Sequence, residues 1–477
     1  MAHRHDLVVV GMGSGGMVAA EFAAGTLGLQ VAVVERGRVG GDCLWTGCVP
    51  SKALLASARA AHVMRHADRY GIRPVEPDID SSMVWKRIRT VQQEIASTDD
   101  DPARFSAMGI DVVRGDCRVT GPHSVAVTGA DGSRDLEARF ILLCTGSRPA
   151  IPAIGGLEQA GFLTSESVFE LDRAPGSITM IGGGPVAVEM AQAFARLGVR
   201  TTVLQKGPRI LPRDEPELVE VLTRRLIDDG VDLRLNVETE SVAVTAQGKV
   251  VAGVENGTAS SWTSEQLLVA TGRRPNVEGL GLEEVGVDLG PRGVEVDRRM
   301  RTNVSSIYAA GDVAGRFLFT HSAGYEAVRA VRDMFFPGKG TVTDFVPWCT
   351  FTDPELAHAG FTIEQARHRY GDDVGVWRLD LEHSDRARAD SVSDGSVVIV
   401  TAKRSKVVGA HILAPAAGEM IHELALAIDQ QLELSDVAGF VHVYPTASTS
   451  IGQLAAEAAF AGARRYRWLV RKERHRP

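Results

Sequence analysis

Residues 6–35 read DLVVVGMGSGGMVAAEFAAGTLGLQVAVVE. Leu7 to Val10 is an unbroken apolar run, the pattern of a parallel strand buried on both faces rather than of a strand with one wet face. The run passes straight into Gly11, Gly13 and Gly16, spaced G-x-G-x-x-G, and a helix-like stretch leads on to a second strand, VAVVE, that ends at Glu35. Each of these residues has a steric or polar task. Gly11 allows the tight turn, Gly13 lets the backbone approach a pyrophosphate, Gly16 lets the helix pack closely, and Glu35 stands where a ribose hydroxyl is read. Glycines alone would be a weak signal; with strand, helix, strand and acid, the stretch reads as a dinucleotide-binding βαβ unit.

The pattern recurs. SITMI, Ser177–Ile181, runs into GGGPVAVEMAQAFARLG, where Gly182, Gly184 and Ala187 take the three small-residue positions, and the strand TTVLQ follows. That strand ends at Gln205 and Lys206, with Arg209 close behind, so cations stand where the first copy has a carboxylate. Cations there suit a 2'-phosphate, which favours NADPH and leaves NADH open. Two such units imply electron relay between two cofactors; one used site beside a vestigial one is the alternative. LLCTGSRP, with Thr145 and Gly146, is echoed by LVATGRRPN, with Gly272, in outline an internal duplication. A third stretch, TNVSSIYAAGDV, ends in Gly311 and Asp312, a strand-to-turn carboxylate placed to meet a ribityl or phosphate group. After Phe345 the texture changes to the alternating strands SVVIVTA and KVVGAHIL with two amphipathic helices, an assembly domain. The expected division is 1–150, 151–276, 277–345 and 346–477.

Bulk properties exclude several classes. A chain of 477 residues has room for about three domains, and 44% hydrophobic with 23% charged residues is ordinary for a globular protein. The net charge of −8 gives no broad attraction for nucleic acid, and no apolar run reaches the roughly 18 residues of a membrane span. No signal-peptide layout precedes the strand at Leu7, so a cytoplasmic location is expected. The basic stretch RRYRWLVRKERHRP from Arg464 reads as a solvated tail, with anionic lipid or nucleic acid as the alternative partner.

Five cysteines in 477 residues argue for a reducing compartment, yet two of them fall together in GGDCLWTGCVPSK as Cys43 and Cys48. On a regular helix a five-residue step rises about 7.5 Å, beyond the Cα separation of about 6 Å that a bridge prefers. A bridged pair therefore requires a bent backbone, which Gly40, Gly41 and Gly47 permit, with a helix beginning after Pro50. A helix N-terminus also stabilises a thiolate. Two unpaired cysteines in a loop remain the bland alternative. Cys117, Cys144 and Cys349 fall in apolar strand-like contexts and read as core, and Trp45 either shapes access to the pair or packs. No metal site is read.

Together the two fingerprints, the Cys43 to Lys52 segment and Gly311-Asp312 resemble the pyridine nucleotide-disulfide oxidoreductases, flavoenzymes that include dihydrolipoamide dehydrogenase, glutathione reductase and mercuric reductase. The resemblance spans nearly the whole chain. It implies an α/β fold of two Rossmann-like dinucleotide-binding domains plus a C-terminal α+β dimerisation domain, working as a homodimer. By that likeness FAD is held by Gly11, Gly13, Gly16, Glu35, Gly41, Thr145, Gly146, Gly311 and Asp312, and the nicotinamide nucleotide by the second fingerprint with Gln205, Lys206, Arg209 and Gly272. Cys48 is then the thiol that faces the flavin and Cys43 the one that exchanges with substrate. Lys52 and Glu189 form an ion pair beside the flavin's reactive edge; a buried helix-face carboxylate needs such a partner.

Departures from the family pattern narrow the function. VEMAQAFARLG and WCTFTDPELAHAGFT are similar to the mercuric-reductase-like branch, yet no cysteine follows Cys349, so the C-terminal cysteine pair of mercury reduction is missing. Disulfide reductases of the family end in His-x-His-Pro-Thr-x-Ser-Glu, an acid/base pair supplied across the dimer; this chain reads HVYPTAST, His442–Thr449. Tyr444 replaces the catalytic histidine and Thr449 its carboxylate. A tyrosine with a pKa near 10 is a poor base at neutral pH, and histidine proton transfer is worth about 100- to 10,000-fold. His442 takes the place of a family histidine that is not the base and reads as structural, with substitution for the base left open. Pro185 stands where relatives often carry a tyrosine over the nicotinamide pocket. The expected function is an FAD enzyme that passes electrons from NADPH to a small acceptor such as a quinone or metal ion. The alternatives are a dihydrolipoamide dehydrogenase-like or other disulfide reductase, and a redox-sensing flavoprotein without fast turnover.

Overall fold

The computed structural model describes residues 4–463 and Trp468, apart from Asp131, Lys339 and Ser393; the remaining basic tail lies outside the described residues. Two units are distinguished. The first comprises Met1–Ala58, Ile79–Lys206 and Arg234–Asp344, and the second Arg59–Asp78, Gly207–Leu233 and the chain from Phe345 onward. The helices that carry the site are, in chain order, α1 (Ser14–Ala20), α2 (Gly41–Trp45), α3 (Cys48–Arg65), α4 (Pro185–Arg196) and α5 (Thr320–Phe335).

The apolar run that opens the chain is the middle strand of its sheet. β1 (Arg4–Val10) pairs in parallel with β2 (Val31–Glu35) on one side and β3 (Gly132–Leu143) on the other. Leu7, Val8 and Val9 are completely buried, as strands covered on both faces require. A parallel neighbour needs a crossover, and α1 supplies it, continued by a π-helical turn over Glu21–Thr26. β3 also ends an antiparallel meander with Asp116–Gly121 and Ser124–Gly129. Much later the chain returns to the same sheet, where Ile307–Ala309 pairs in parallel with β3.

The second fingerprint repeats the core of this construction. β4 (Ser177–Ile181) pairs in parallel with β5 (Arg200–Gln205) and β6 (Gln266–Val269), and an antiparallel meander over 237–264 again precedes the closing strand. In the first copy the Gly11 amide donates to Val34 O at 2.8 Å and the Cys144 amide to Val10 O at 2.7 Å; in the second, Gly182 donates to Leu204 O and Ala270 to Ile181 O, each at 2.9 Å. Gly11 and Gly182 have φ of +99° and +118°, and a Cβ on either would stand 2.4 Å from the carbonyl oxygen of Cys144 or Ala270. Backbone crossing this close leaves glycine as the residue that fits.

The two copies are joined through their Thr-Gly turns. Ser147–Pro149 pairs antiparallel with Arg273–Pro275. Thr145 Oγ1 donates to Asn276 O at 2.7 Å and Thr271 Oγ1 to Ala150 O at 2.9 Å. The Asn276 amide donates to Gly146 O at 3.0 Å, and the Ala150 amide to Gly272 O at 2.9 Å.

In the second unit, the strands Trp348–Thr350, Glu355–Gly360, Lys406–Ala414, Ser396–Ala402 and Gly375–Asp380 form one antiparallel sheet in that order. The helices Ala417–Asp429 and Thr449–Ala463 bury Met420, Leu424, Ile451 and Leu454 in its core. Three shorter helices, Ile363–Tyr370, Asp385–Ala389 and Leu434–Ala438, join the two that the sequence suggests. At one or two turns each they are too short to show a helical period. Among the described residues no helix is long and apolar enough to cross a membrane.

Gly11→Ala combines a left-handed backbone with the carbonyl overlap and is expected to lower unfolding free energy by about 3 kcal/mol or more. Gly28, with φ of +69° and nothing within 4 Å of the point a Cβ would occupy, provides the control. Gly28→Ala should cost about 1–2 kcal/mol. Equal losses in urea unfolding would show that the carbonyl approach is not the constraint.

Candidate active site

The backbone between the paired cysteines is bent by two helices meeting at a glycine. Cys43 lies in α2 and Cys48 opens α3, while Gly47 between them gives its carbonyl to the Ser51 amide at 3.1 Å. α3 thus starts at Cys48, three residues earlier than the sequence suggests. Pro50 falls inside the first turn, where no intrahelical amide bond is needed. The loop is braced on every side. Trp45 Nε1 donates to Val39 O at 2.8 Å, and the Arg38 guanidinium lies 4.1 Å from the Trp45 ring centre. Gln92 donates to Leu44 O at 3.1 Å and Trp45 O at 2.8 Å, and Thr46 Oγ1 to Asp42 Oδ1 at 2.7 Å.

Both cysteines are unbridged, and their thiols hydrogen-bond to each other. Cys48 is drawn down to about 6, chiefly by that bond to Cys43, then by the Thr320 hydroxyl and the Lys52 ammonium, against burial and the Glu189 carboxylate. The Cys43 thiol is pushed up by the same bond, by burial and by the charge on Cys48. A reduced pair therefore holds its charge on Cys48. Lys52 Nζ stands 2.9 Å from Glu189 Oε2, and Glu189 on α4 is only 5% exposed. The other cysteines are less uniform than core residues: Cys144 is buried, whereas Cys117 and Cys349 are half-buried.

Around the first fingerprint, glycine sterics make a cradle suited to a dinucleotide pyrophosphate. A Cβ on Gly16 would overlap Gly11 O at 1.9 Å, and one on Gly41 would stand 2.8 Å from the Gly13 Cα. Thus the fingerprint loop and the glycine pair before Cys43 touch backbone to backbone. Glu35 holds the loop, accepting from the Met12 and Gly37 amides at 2.6 Å each. Gly146 (φ +68°) and Thr145 belong to the Thr-Gly turn, and the Gly311 amide donates to the buried Glu326 at 2.9 Å. Asp312 accepts from Ser147 Oγ; burial pushes its carboxyl up, against the pull of Ser147 and Arg273.

Arg273 is the residue that sequence reasoning overlooked. Its guanidinium donates to Ser147 Oγ at 2.7 Å and Ser147 O at 2.9 Å, pairs with Asp42, and lies 3.6 Å from Asp312. It links the Thr-Gly turn to the residue beside Cys43. Its signal was its place after Gly272; Thr320 and Ser14, which also reach the thiols, had none.

In the second fingerprint, Gln205 fills the place of Glu35: a Cβ on Gly183 would meet its side chain at 2.9 Å. A Cβ on Gly184 would meet nothing within 4 Å. Pro185 opens α4. Lys206 is exposed, 3.2 Å from Glu238, and Arg209 donates to Pro212 O at 2.9 Å within its own loop.

The replaced acid/base segment lies in the second unit. Tyr444 is exposed and donates to Asp385 Oδ2 at 3.0 Å; that bond and the carboxylate's charge push its phenol above the ordinary value. Thr449 Oγ1 donates to Val443 O at 3.1 Å, closing the turn. His442 is tucked in, 3.5 Å from Glu423 and packed on Gly452, with Phe440 stacked over it.

Two nucleotide-binding folds and a low-pKa thiol within a cysteine pair define a nucleotide-linked dithiol oxidoreductase. The chain belongs to the pyridine nucleotide-disulphide oxidoreductase family, which it matches over residues 5–327, with the family's dimerisation domain over 346–455. The family uses FAD and NAD(P)H. The chain is 32% identical to dihydrolipoyl dehydrogenase of Geobacillus stearothermophilus, over 95% of each chain. It is also 32% identical to mercuric reductase of Bacillus cereus, over 93% of this chain and 69% of that one. The Cu(II) complex of the HOCl-induced flavoprotein disulfide reductase RclA from Escherichia coli superposes with a TM-score of 0.84 at 26% identity, covering 95% of this chain and 99% of that one. The dimerisation domain supports a homodimer.

Lys52→Met strands a buried carboxylate. Because the lysine side chain is itself 37% exposed, the expected cost is about 1–3 kcal/mol, below that of breaking a fully buried pair. Adding Glu189→Leu should restore most of the loss in urea unfolding. Additive losses would show that the two side chains contribute independently.

Proposed function

We propose that the protein is an NADPH-dependent flavoenzyme that passes electrons through Cys43 and Cys48 to a small acceptor other than a common disulfide, a copper-type metal ion or a quinone. The observation that carries this reading is Tyr444. Held by Asp385 with its phenol pushed up, it stays protonated at neutral pH and has no basic form to offer. His442, packed against Glu423 and Gly452, is a structural side chain on this reading. Release of a thiol from a disulfide substrate needs a proton delivered to the leaving thiolate, which an imidazolium gives readily and a phenol with a raised pKa does not, whereas a metal ion needs no proton and a quinone takes its protons from water. The likeness to RclA, with its Cu(II) complex, supports the metal-ion arm.

The roles of the other residues follow from their positions. Gly11, Gly13, Gly16, Gly41, Thr145, Gly146, Gly311 and Asp312, with Glu35, would hold FAD. When bound, FAD supplies the relay between a two-electron nicotinamide donor and sulfur. Cys48 presents its thiolate to that relay, Cys43 meets the acceptor, and the Lys52–Glu189 pair keeps a fixed dipole beside them. Gly182, Gly184 and Gly272 would admit the nicotinamide nucleotide, with Lys206 and Arg209 reading its 2'-phosphate. The neutral Gln205 supports that preference, since it takes the strand-end place that Glu35, a carboxylate, holds in the first copy. We place the domain boundaries near 150, 276 and 345, and the working form as a cytoplasmic homodimer.

The likeness to dihydrolipoyl dehydrogenase supports lipoamide reduction as the second reading. An NADPH-oxidation screen over lipoamide, glutathione disulfide, quinones and copper(II) separates the two. Slow disulfide turnover beside faster quinone or copper(II) reduction is expected. Tyr444→His with Thr449→Glu should then raise disulfide turnover by up to about 100-fold and leave the quinone rate nearly unchanged. Wild-type lipoamide reduction outpacing every other acceptor would overturn the reading.

A further inference from the structure

The dithiol is served by a hydroxyl that no part of its own segment supplies. Thr320 is the first residue of the 16-residue helix α5, and its Oγ1 lies 3.3 Å from Cys48 Sγ, across 272 residues of sequence. The same hydroxyl also bonds to Cys43, and Ser14, the first residue of α1, bonds to Cys43 as well. A thiol either donates or accepts, but a thiolate only accepts. Once Cys48 ionises, Thr320 is therefore obliged to donate to it, which needs only a rotation of the hydroxyl proton.

The cation in the site does less than its charge suggests. Lys52 is one turn beyond Cys48 on α3, but its ammonium is committed to Glu189 at 2.9 Å. The lysine lowers the Cys48 thiol and the glutamate raises it, so the glutamate offsets part of the lysine's pull. A neutral donor has no such opposing partner.

We propose that Thr320 is a positioning residue whose hydroxyl, donated to Cys48, keeps the negative charge of the reduced pair on Cys48 rather than on Cys43. The proposal rests on the reading of Cys48 as the sulfur that faces the flavin.

The test uses the full-length, FAD-loaded protein in a Cys43→Ser background, where Cys48 is the one thiol of the pair. Iodoacetamide labelling of Cys48 is followed by peptide mass against pH, with Thr320 intact or carrying Thr320→Val, Thr320→Ala or Thr320→Ser. Both side chains keep contact with solvent, so the effect belongs at the modest end for a bond to a charged group. Thr320→Val and Thr320→Ala should slow labelling about 5- to 10-fold at a fixed pH below the midpoint, and Thr320→Ser should stay within about 2-fold. The pH at which the thiolate-to-flavin charge-transfer absorbance appears should rise in step. A merely structural threonine would move neither and would show no rescue by serine. If Thr320→Val fails to load FAD, Thr320→Ala decides. Unchanged profiles at normal flavin content would overturn the proposal and leave the reading of Cys48 intact. Charge-transfer absorbance that persists in Cys48→Ser and is lost in Cys43→Ser would overturn both.

Discussion

The pairing of Ser147–Pro149 with Arg273–Pro275 is the contact on which the site's geometry depends. It joins two copies of one βαβ construction through the turns that follow their closing strands. Each turn gives a threonine hydroxyl and a glycine carbonyl to the other, so neither can shift alone. Behind each turn the fingerprint's first glycine crosses the closing strand with no room for a side chain. The two glycine-rich loops are thereby held in mutual orientation by backbone pairing and two threonine hydroxyls. Arg273 extends the contact from Ser147 to Asp42, the residue beside Cys43.

Charge near the thiols is arranged to be small in sum. Lys52 and Glu189 neutralise each other, and Arg273 is matched by Asp42 and Asp312. What remains to favour a thiolate is hydrogen bonding from the paired thiol and from Thr320, which acts at close range. Two thiols in contact differ so far in acidity, with Cys48 low and Cys43 high, chiefly because the bond between them favours one thiolate at the other's expense, and burial and the Cys48 charge then raise Cys43 further. A strong net cation would instead have lowered both.

Much of this was legible in the sequence for a local reason. Gly11 and Gly182 mark positions where only glycine fits, so spacing alone betrays the turn, and the apolar runs before them betray buried parallel strands. The Lys52–Glu189 pair was legible only through the family resemblance, since the two residues lie 137 positions apart and no local pattern links them. The start of α3 was misjudged by three residues, because proline is tolerated at more than one position of a first turn. Arg273 to Asp42 and Thr320 to Cys48 are single contacts between distant segments, and ordinary residues carry them. No periodicity or motif announces a hydroxyl whose partner lies 272 residues off.

Tyr444 shows the opposite case, a residue legible by its departure but not by its partner. The phenol in place of an imidazole signals a lost base, yet Asp385 sits on a five-residue helix that leaves no pattern in the sequence. The partner matters because it decides the sign. A cation beside Tyr444 would pull its phenol down toward a useful base, whereas the carboxylate pushes it up. Thr449, where a carboxylate would orient an imidazole, instead closes a turn on Val443. Both positions have thus been given over to hydrogen bonds that hold the segment's shape. On the proposed reading, the electron path through Cys48 and Cys43 is retained while proton delivery is relinquished, which suits an acceptor that asks the protein for electrons alone.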